Sequence, residues 1–325
     1  MCFVGLLKTK TILCLGEALV DRLGPLGGDP SQDRPVNDQL GGAPANVACG
    51  LARLGTPVVF AGRLGLDPIG DAFCQLFDER HIDTTCLQRD QQRPSRIVLV
   101  RRSLKGERLF QGFINNWGLG FADQALTKQA LPRVSWLLIG TIPLASPASA
   151  SALRAALQEM RCRDTAIALD VNWRPTFWNT TADPAAGPQP EQISLISPLL
   201  QQASLIKLAR EEALWFFSTD RPTVISRALP RHPDVVVTDG AKPIHWFLNG
   251  VTGMQPAFRP KQVVDTTGAG DAFMAGLLHR WQSPPTERVR FAAACGALVC
   301  GGTGAIDPQP TDNEVGLFLN QQKHY

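Results

Sequence analysis

The chain has 325 residues, enough for one large α/β domain or two ordinary ones. Hydrophobic residues make up 44% and charged residues 19% of the sequence, so a sizeable core is expected and general disorder is not. The formal charge of +3 is small and the basic residues are scattered, which argues against a nucleic-acid-binding protein. No apolar run reaches membrane-spanning length, and the apolar start is too short for a convincing signal peptide.

The eight cysteines include no pair at C-x-x-C spacing, and the five histidines are isolated from one another. This pattern gives no support to a zinc or redox site. Free thiols among apolar neighbours behave as small hydrophobic groups. We therefore predict a protein of the reducing cytoplasm.

The first predicted element is a short buried strand over residues 11–15, which Gly16 and Glu17 end. Asp21 lies just beyond it. Ligands of an α/β sheet bind outside the carboxyl ends of its strands, so Asp21 is a candidate ligand-binding residue. A loop carboxylate that faces solvent is the alternative, and the spacing does not choose between the two.

A double glycine, Gly41-Gly42, then precedes a predicted helix. Pro44 suits the first helical position and Gly55 the position past the end. Asn46 lies in the first turn, where exposed backbone amides and a side-chain amide together suit a polyhydroxyl ligand. An ordinary capped helix is the alternative.

The middle of the chain predicts both a hairpin and an alternating α/β pattern. Residues 57–61 indicate a strand, residues 62–70 a loop and residues 71–80 a helix. Residues 94–114 indicate a β-hairpin with its turn at Lys105-Gly106. From Asp123 onward strands alternate with helices, which indicates a parallel sheet with helices on both faces. The segment with Pro184, Pro188 and Pro190 is predicted as loop.

Polar residues follow three strands of this second half. Residues 170–175 read Asp-Val-Asn-Trp-Arg-Pro, residues 205–212 pass from a strand into a helix at Glu211-Glu212, and residues 235–240 are a buried strand that ends in a turn. Each has a plain interpretation: a loop salt bridge for Arg174, acids in a first helical turn for Glu212, and a turn glycine for Gly240.

The sequence is organised around residues 264–277, where a β-branched run passes through a Gly-rich turn into an apolar helix. The first N–H groups of a helix have no helical partner, so the amides of Gly268, Ala269 and Gly270 predict an anion site. Asp271 is the predicted general base beside it, and a helix-start acid is the alternative. The helix has little polar face, so it should be buried and hold its N-terminus rigidly.

The remaining segments are an apolar helix over residues 288–300, a Gly-rich turn over 301–306 and a final helix over 312–321. No G-x-x-x-x-G-K-[ST] sequence occurs, which excludes a P-loop kinase, and no G-x-G-x-x-G follows a strand, which argues against a Rossmann dehydrogenase.

Residues 41–70 and 264–278 together resemble the two signature regions of the ribokinase-like, or PfkB-type, carbohydrate kinases. The form G-G-A-P-A-N-V-A-x-x-L-A-R-L-G is most similar to fructokinases. The resemblance runs in order from about residue 12 to about residue 311. It implies a three-layer α/β/α fold with a mainly parallel central sheet. It also implies a single kinase domain over residues 1–325, with a small β-sheet lid formed mainly by residues 17–40 and 94–116.

The resemblance also implies transfer of the γ-phosphate of ATP to a sugar hydroxyl with Mg²⁺, most simply from fructose to fructose 6-phosphate, with a K⁺ requirement left open. Ribose, 2-keto-3-deoxygluconate and nucleosides are alternative acceptors, and a non-catalytic sugar sensor is the alternative of another class. No nucleic-acid or membrane partner is expected, and an exposed β face of the lid is compatible with a homodimer.

The resemblance implies these site residues. Catalysis is expected at Asp271 with Gly268, Ala269 and Gly270. Substrate binding is expected at Asp21, Gly41, Gly42, Asn46, Asn172, Arg174 and Asp271. Nucleotide binding is expected at Lys207, Thr238, Gly240, Gly268, Gly270, Gly304 and Ala305. Glu212 is expected near Mg²⁺ through water, and Asp265 and Thr267 near a monovalent cation.

The chain departs from the family at two places. Many fructokinases follow the hairpin with an aromatic-Arg-Asn segment, whereas this chain has Phe-Ile-Asn-Asn-Trp over 113–117, and its only tyrosine is Tyr325. Ala209 stands where the family often has Asn or Ser. Lid contacts that relatives make through Tyr or Arg should therefore be absent or replaced. Arg96 and Arg101 are expected to be surface or lid-interface charges.

Overall fold

The computed structural model describes residues 10–104, 108–114 and 118–322. The strands are β1 (Ile12–Leu15), β2 (Leu19–Leu26), β3 (Asn37–Gly41), β4 (Val58–Gly65), β5 (Asp83–Asp90), β6 (Arg96–Arg102), β7 (Arg108–Phe113), β8 (Trp136–Ile139), β9 (Ala166–Asp170), β10 (Leu205–Ala209), β11 (Asp234–Thr238), β12 (Ile244–Leu248) and β13 (Val251–Gln255). The helices are α1 (Ala43–Arg53), α2 (Pro68–Glu79), α3 (Pro147–Cys162), α4 (Pro175–Trp178), α5 (Pro190–Gln202), α6 (Arg210–Phe217), α7 (Pro222–Ala228), α8 (Ala269–His279), α9 (Pro285–Val299) and α10 (Asp312–Gln321).

Nine strands form the central sheet in the order β13-β12-β11-β10-β9-β8-β1-β4-β5. The strands from β11 to β5 are parallel, and β12 and β13 are antiparallel additions at one edge. Successive side chains of a strand point to opposite faces, so Ile12 packs into one buried cluster and Leu13 into the other. The predicted three-layer α/β/α fold is therefore confirmed.

A second sheet of four strands forms the lid, in the order β3-β2-β6-β7. Strand β2 pairs with β6 in parallel, and the other two pairings are antiparallel. One apolar cluster of the lid contains Leu19, Leu23, Val98 and Val100. The predicted hairpin corresponds to β6 and β7, while its turn at Lys105-Gly106 and residues 115–117 lie outside the described residues.

Two helices that matter for the site, α1 and α8, pack against each other at close range. An added Cβ at Gly50 of α1 would lie 2.9 Å from the Ala275 Cβ of α8. The glycine therefore permits a separation between the helices that a larger side chain would prevent. Helix α8 is buried along its length after the first turn, as its apolar sequence predicts.

The predicted loop over residues 62–70 is wrong, because β4 continues to Gly65 and pairs there with β5. Its glycines reflect crowding rather than a turn: an added Cβ at Gly62 would lie 2.7 Å from the Gly16 carbonyl oxygen. Helix α2 starts at Pro68 rather than near residue 71. Asp67 caps it by accepting a hydrogen bond from the Gly70 N–H at 2.8 Å.

Two further expectations need correction. Pro190 does not lie in a loop, because it is the first residue of α5, where proline is well tolerated. Arg96 is not a surface charge, because it is 3% exposed and pairs with Asp123 at 2.9 Å. Of the two expectations for Arg96, the structure agrees with a charge at the interface of the lid. No helix within the described ranges is long and apolar enough to cross a membrane.

Candidate active site

The carboxyl ends of β1, β9, β10 and β11 face the lid across a cavity of about 650 Å³. The sheet and the N-termini of α1 and α8 supply polar groups on one side of it. The other side is apolar and includes Leu19, Val98, Val100, Phe110 and Phe177. The cavity therefore suits a polar ligand with an apolar face.

The N-terminus of α8 borders this cavity and offers hydrogen-bond donors. Gly268 precedes the helix in the left-handed region with φ 78°, and an added Cβ there would lie 2.6 Å from the Ala305 Cα. The Gly268, Gly270 and Asp271 N–H groups donate to no acceptor in the part of the chain that the structure describes, whereas the Ala269 N–H donates to the Thr266 carbonyl at 3.3 Å. Three N–H groups thus remain for an anion, and Ala269 is not one of them.

Asp271 lies in the first turn of α8 and accepts a hydrogen bond at 2.7 Å from the Asn46 side-chain amide. Burial at the cavity floor, with help from the charge of Asp170, raises the pKa of Asp271 to about 6, against the opposing effects of Asn46, Lys207 and Arg174. At neutral pH the carboxyl is mostly ionised but is a stronger base than an ordinary aspartate. These are the properties of a general base.

A buried ion pair lies beside the same helix start. Lys207 of β10 donates to both carboxylate oxygens of Asp170 at 2.9 Å. Burial alone would lower the pKa of Lys207, but Asp170 and Glu212 outweigh it and the pKa is raised, so the ammonium group stays charged. An added Cβ at Gly270 would lie 3.1 Å from the Lys207 Nζ, which places this cation next to the free N–H groups.

Asp21 and Asn46 converge at the N-terminus of α1. An added Cβ at Gly41 would lie 3.9 Å from both Asp21 Oδ2 and Asn46 Oδ1. Gly42 has φ 101°, and an added Cβ there would lie 2.7 Å from the Glu17 carbonyl oxygen, so only glycine fits. Asp21 belongs to lid strand β2 and lines the cavity, so the alternative of a loop carboxylate that faces solvent does not apply.

Four other predicted residues line the cavity: Asn172, Arg174, Glu212 and Thr238. Asn172 has a left-handed backbone with φ 41°, and Arg174 is exposed in the cleft. Glu212 accepts hydrogen bonds from the Trp173 N–H at 2.6 Å and the Ala209 N–H at 2.7 Å. Glu212 therefore stabilises the start of α6, which is the role predicted from the sequence as the alternative to a place near Mg²⁺.

The predicted cation residues, Asp265 and Thr267, precede α8, and the predicted nucleotide residues Gly304 and Ala305 lie in the last loop. Asp265 accepts hydrogen bonds from the Thr267 N–H at 3.0 Å, the Thr267 hydroxyl at 2.7 Å and the Gly304 N–H at 2.9 Å. Thr267 lines the main cavity, while Gly304 and Ala305 line a second cavity of about 440 Å³ beside β3. Gly240 is exposed and lines neither.

Sequence reasoning missed several residues that line the cavity. Glu17 and Asp170 are buried at the carboxyl ends of β1 and β9, and Phe110 and Phe177 form part of the apolar wall. Position at a strand end was the available signal for both acids. Across the described residues, no group of three or more His, Cys, Asp or Glu side chains is arranged to hold a metal ion.

Comparison with known proteins gives consistent matches over nearly the whole chain. The model of the pfkB family carbohydrate kinases matches residues 9–312. The fructokinase of Salmonella typhimurium is 30% identical over 323 residues, covering 93% of this chain and 96% of that protein. The crystal structure of fructokinase with bound ATP from Xylella fastidiosa is 29% identical with a TM-score of 0.81, covering 97% of this chain and 99% of that one.

A fructokinase double mutant from Vibrio cholerae O395, solved with fructose, ADP and a potassium ion, is also similar. It is 26% identical with a TM-score of 0.78, covering 96% of this chain and 99% of that one.

Proposed function

The chain belongs to the pfkB family of carbohydrate kinases, and on that premise we propose that it is an ATP-dependent fructokinase that converts fructose to fructose 6-phosphate. One observation carries the proposal: Asp271, with a pKa near 6, lies among the free N–H groups of α8 and beside the Lys207 ammonium group. A base, an anion site and a fixed cation are the groups that phosphoryl transfer requires.

In this proposal Asp271 takes the proton from the attacking sugar hydroxyl. Asp21, Gly42 and Asn46 hold other hydroxyls of the sugar, because their polar groups converge on one side of the cavity. The Gly268 and Gly270 N–H groups and Lys207 hold the transferring phosphate. The apolar lid wall covers the C–H face of the sugar and excludes water.

ATP and its metal ion fit the end of the cavity that contains Lys207 and the N-terminus of α8. Thr238 and Arg174 line it on the phosphate side, and Arg174 can hold a phosphate oxygen in a charge-assisted hydrogen bond. Mg²⁺ typically binds through phosphate oxygens, one or two carboxylates and water, so Glu212 would serve it through water. When bound, the ion neutralises charge on the phosphates.

A monovalent cation is proposed beside Asp265 and Thr267, because their oxygens come together just before Gly268, where Asp265 also binds the Gly304 N–H of the last loop. The related Vibrio cholerae structure contains a potassium ion, which supports testing K⁺ first. Gly240, Gly304 and Ala305 are proposed as outer nucleotide contacts.

We further propose one kinase domain over residues 1–325, with the lid over 17–40 and 94–116, and a homodimer through the lid. Leu26, Leu104 and Leu109 are large apolar side chains that the lid exposes, at 55%, 82% and 52%. Sedimentation of wild type and Leu109→Lys should show a dimer for the first and a monomer for the second.

A panel of sugars and nucleosides with ATP, followed by ADP release, tests the function. Fructose should have the highest kcat/KM, above ribose, 2-keto-3-deoxygluconate and ribosides. Binding of ATP and fructose without ADP release would favour a sugar sensor instead. Preference for another acceptor would keep the kinase and reject fructose.

A further inference from the structure

Glu17 is an acid of the cavity that the proposed reaction leaves without a role. It follows β1, is 3% exposed and lines the cavity. Its Oε1 accepts a hydrogen bond from the Ala43 N–H at 3.3 Å. Its Oε2 is buried and has no hydrogen-bond partner within the described segments. A buried polar atom without a partner is costly, so its retention calls for an explanation.

The surroundings of Glu17 favour its uncharged form. Burial, with the charge of Asp123, raises the pKa of Glu17 to about 8, while its own backbone N–H, the Ala43 N–H and Arg96 act in the opposite direction. Arg96 and Asp123 pair with each other at 2.9 Å, and Asp170 and Glu17 both line one small cavity. At neutral pH the carboxyl is therefore mostly protonated, and one oxygen can accept while the other can donate.

Glu17 contacts the turn that carries the acceptor-binding groups. Its carbonyl oxygen packs against Gly42, and its side chain binds the N–H of the next residue, Ala43. The Gly42 carbonyl in turn accepts from the Asn46 N–H at 2.8 Å, and the Asn46 side chain donates to Asp271 at 2.7 Å. A continuous series of contacts thus joins Glu17 to the base.

We propose that Glu17 is a positioning residue for the acceptor sugar, which fixes the turn from Gly42 to Asn46 through its side-chain hydrogen bond to Ala43. The uncharged carboxyl performs this role. Ionisation would leave a buried charge that only the backbone N–H groups of Glu17 and Ala43 stabilise by hydrogen bonds, and the turn would shift to admit water. The acceptor role rests on the proposed kinase function, whereas the effect on the turn does not.

The kinetic test compares Glu17→Gln with Glu17→Ala. The amide of Glu17→Gln keeps an acceptor and a donor without titrating, so its KM for fructose should match wild type at neutral pH. In Glu17→Ala that KM should rise by about tenfold, the size expected for one lost buried hydrogen bond. The KM for ATP should stay unchanged in both, which a general loss of structure would not produce.

The pH profile adds a second kinetic readout. The wild-type KM for fructose should rise as the pH passes through about 8, where the Glu17 carboxyl ionises. In Glu17→Gln the KM should stay level over the same range. An equal alkaline rise in both proteins would overturn the role of the uncharged carboxyl.

Two measurements without substrate separate this proposal from the kinase function. Amide hydrogen exchange over residues 43–46 should be faster in Glu17→Ala and unchanged in Glu17→Gln. The pKa of Glu17 is raised in the folded state, so the wild-type protein should lose stability as the pH increases from about 5 to about 9. Glu17→Gln lacks this loss, so the difference between its urea midpoint and that of wild type should increase over the same range. If no sugar is phosphorylated, the kinase function is rejected, and these two measurements still test whether Glu17 fixes the turn. Unchanged exchange in Glu17→Ala would overturn the proposal.

Discussion

At the scale of single residues, the chemistry depends on how a few charged groups share the floor of one cavity. Asp271 and Asp170 repel each other, and Lys207 is placed to compensate both. Burial, together with Asp170 and against the opposing charge of Lys207, raises the pKa of Asp271 to about 6. A base with that pKa is ionised at neutral pH and still accepts a proton readily.

Replacing Asp271 by Asn should remove nearly all turnover and keep the fold. The amide has almost the same shape but cannot take the sugar proton, so kcat should fall by about 10²–10⁴-fold. Steady-state ADP release measures the loss, and thermal unfolding controls for folding. Turnover close to wild type would contradict the assignment of the base.

The pH dependence of kcat/KM should reveal the same group. Activity requires ionised Asp271, so kcat/KM should fall as pH decreases through about 6. Lys207→Met removes a charge that lowers the pKa of Asp271, so the acidic limb should move to higher pH. A limb that stays in place in Lys207→Met would show that another group titrates.

The sequence identified the central residues of the site but not all of them. Asp271, Asn46 and the glycines stand in motifs whose turn and helix start are readable locally. Glu17 and Asp170 were missed because their roles arise from burial against distant residues: Asp170 pairs with a lysine 37 positions later in the chain. Their position at strand ends marks both acids as candidates, but their burial and their partners can be known only from the fold.

At the scale of elements, the turn before α8 depends on its contact with the loop over residues 301–306. Gly268 combines φ 78° with an added-Cβ distance of 2.6 Å to the Ala305 Cα. Both conditions exclude a side chain unless the loop moves. The anion site and the last loop are therefore a single packed unit.

Gly268→Ala should cost about 1–3 kcal/mol of unfolding free energy, because a non-glycine residue is strained there and its Cβ clashes. The displaced N–H groups should also raise the KM for ATP. Urea unfolding and ATP kinetics measure the two effects. Gly316→Ala is the matched control: an added Cβ in α10 meets nothing within 4 Å, so the KM for ATP should stay unchanged, and the unfolding free energy should rise by about 0.5–1 kcal/mol because alanine is the better helix former. Equal effects of the two variants would refute the packing argument.

Most helices were predicted from the sequence, whereas α4, α5 and α7 were not. Helix α10 has the predicted bounds, and α8 begins at the predicted turn. No strand was predicted at β5, β12 or β13: β5 and β13 are partly exposed edge strands with polar residues, and β12 has only five residues. Their pairing with distant strands, rather than an apolar run, stabilises them.

At the scale of the whole molecule, a buried ion pair joins the lid to the body. Arg96 of β6 binds Asp123 through two hydrogen bonds of 2.9 and 3.1 Å. Its guanidinium group also lies 4.7–5.0 Å from the ring centres of Phe113, Phe121 and Phe177. Lid, body and cavity wall thus meet at one side chain.

Arg96→Met should lower the free energy of unfolding by about 3–5 kcal/mol, because it leaves Asp123 buried without its partner. Urea denaturation measures this loss. Arg22→Met is the control, since Arg22 pairs with Asp38 at a partly exposed site of the same lid and such pairs contribute only about 0–1 kcal/mol. Similar losses in both variants would show that burial of the Arg96 pair is unimportant.

The overall architecture was predictable because alternating strands and helices permit few arrangements. The β6–β7 hairpin was predictable from its residue pattern, but its place in a lid was predictable only through family resemblance. The ion pair between Arg96 and Asp123 was not predictable, because it joins a lid strand to a short helical turn of the body 27 positions later in the chain.

The contact between Gly50 and Ala275 has a consequence for the identity of the product. Helix α1 carries Asn46, which holds the sugar, and α8 carries Asp271, whose carboxylate receives the proton. The close packing of the two helices therefore fixes the distance between these two side chains. Only a hydroxyl at one distance from the anchored end can then react. A single phosphorylated regioisomer should therefore form, which NMR of the product would reveal.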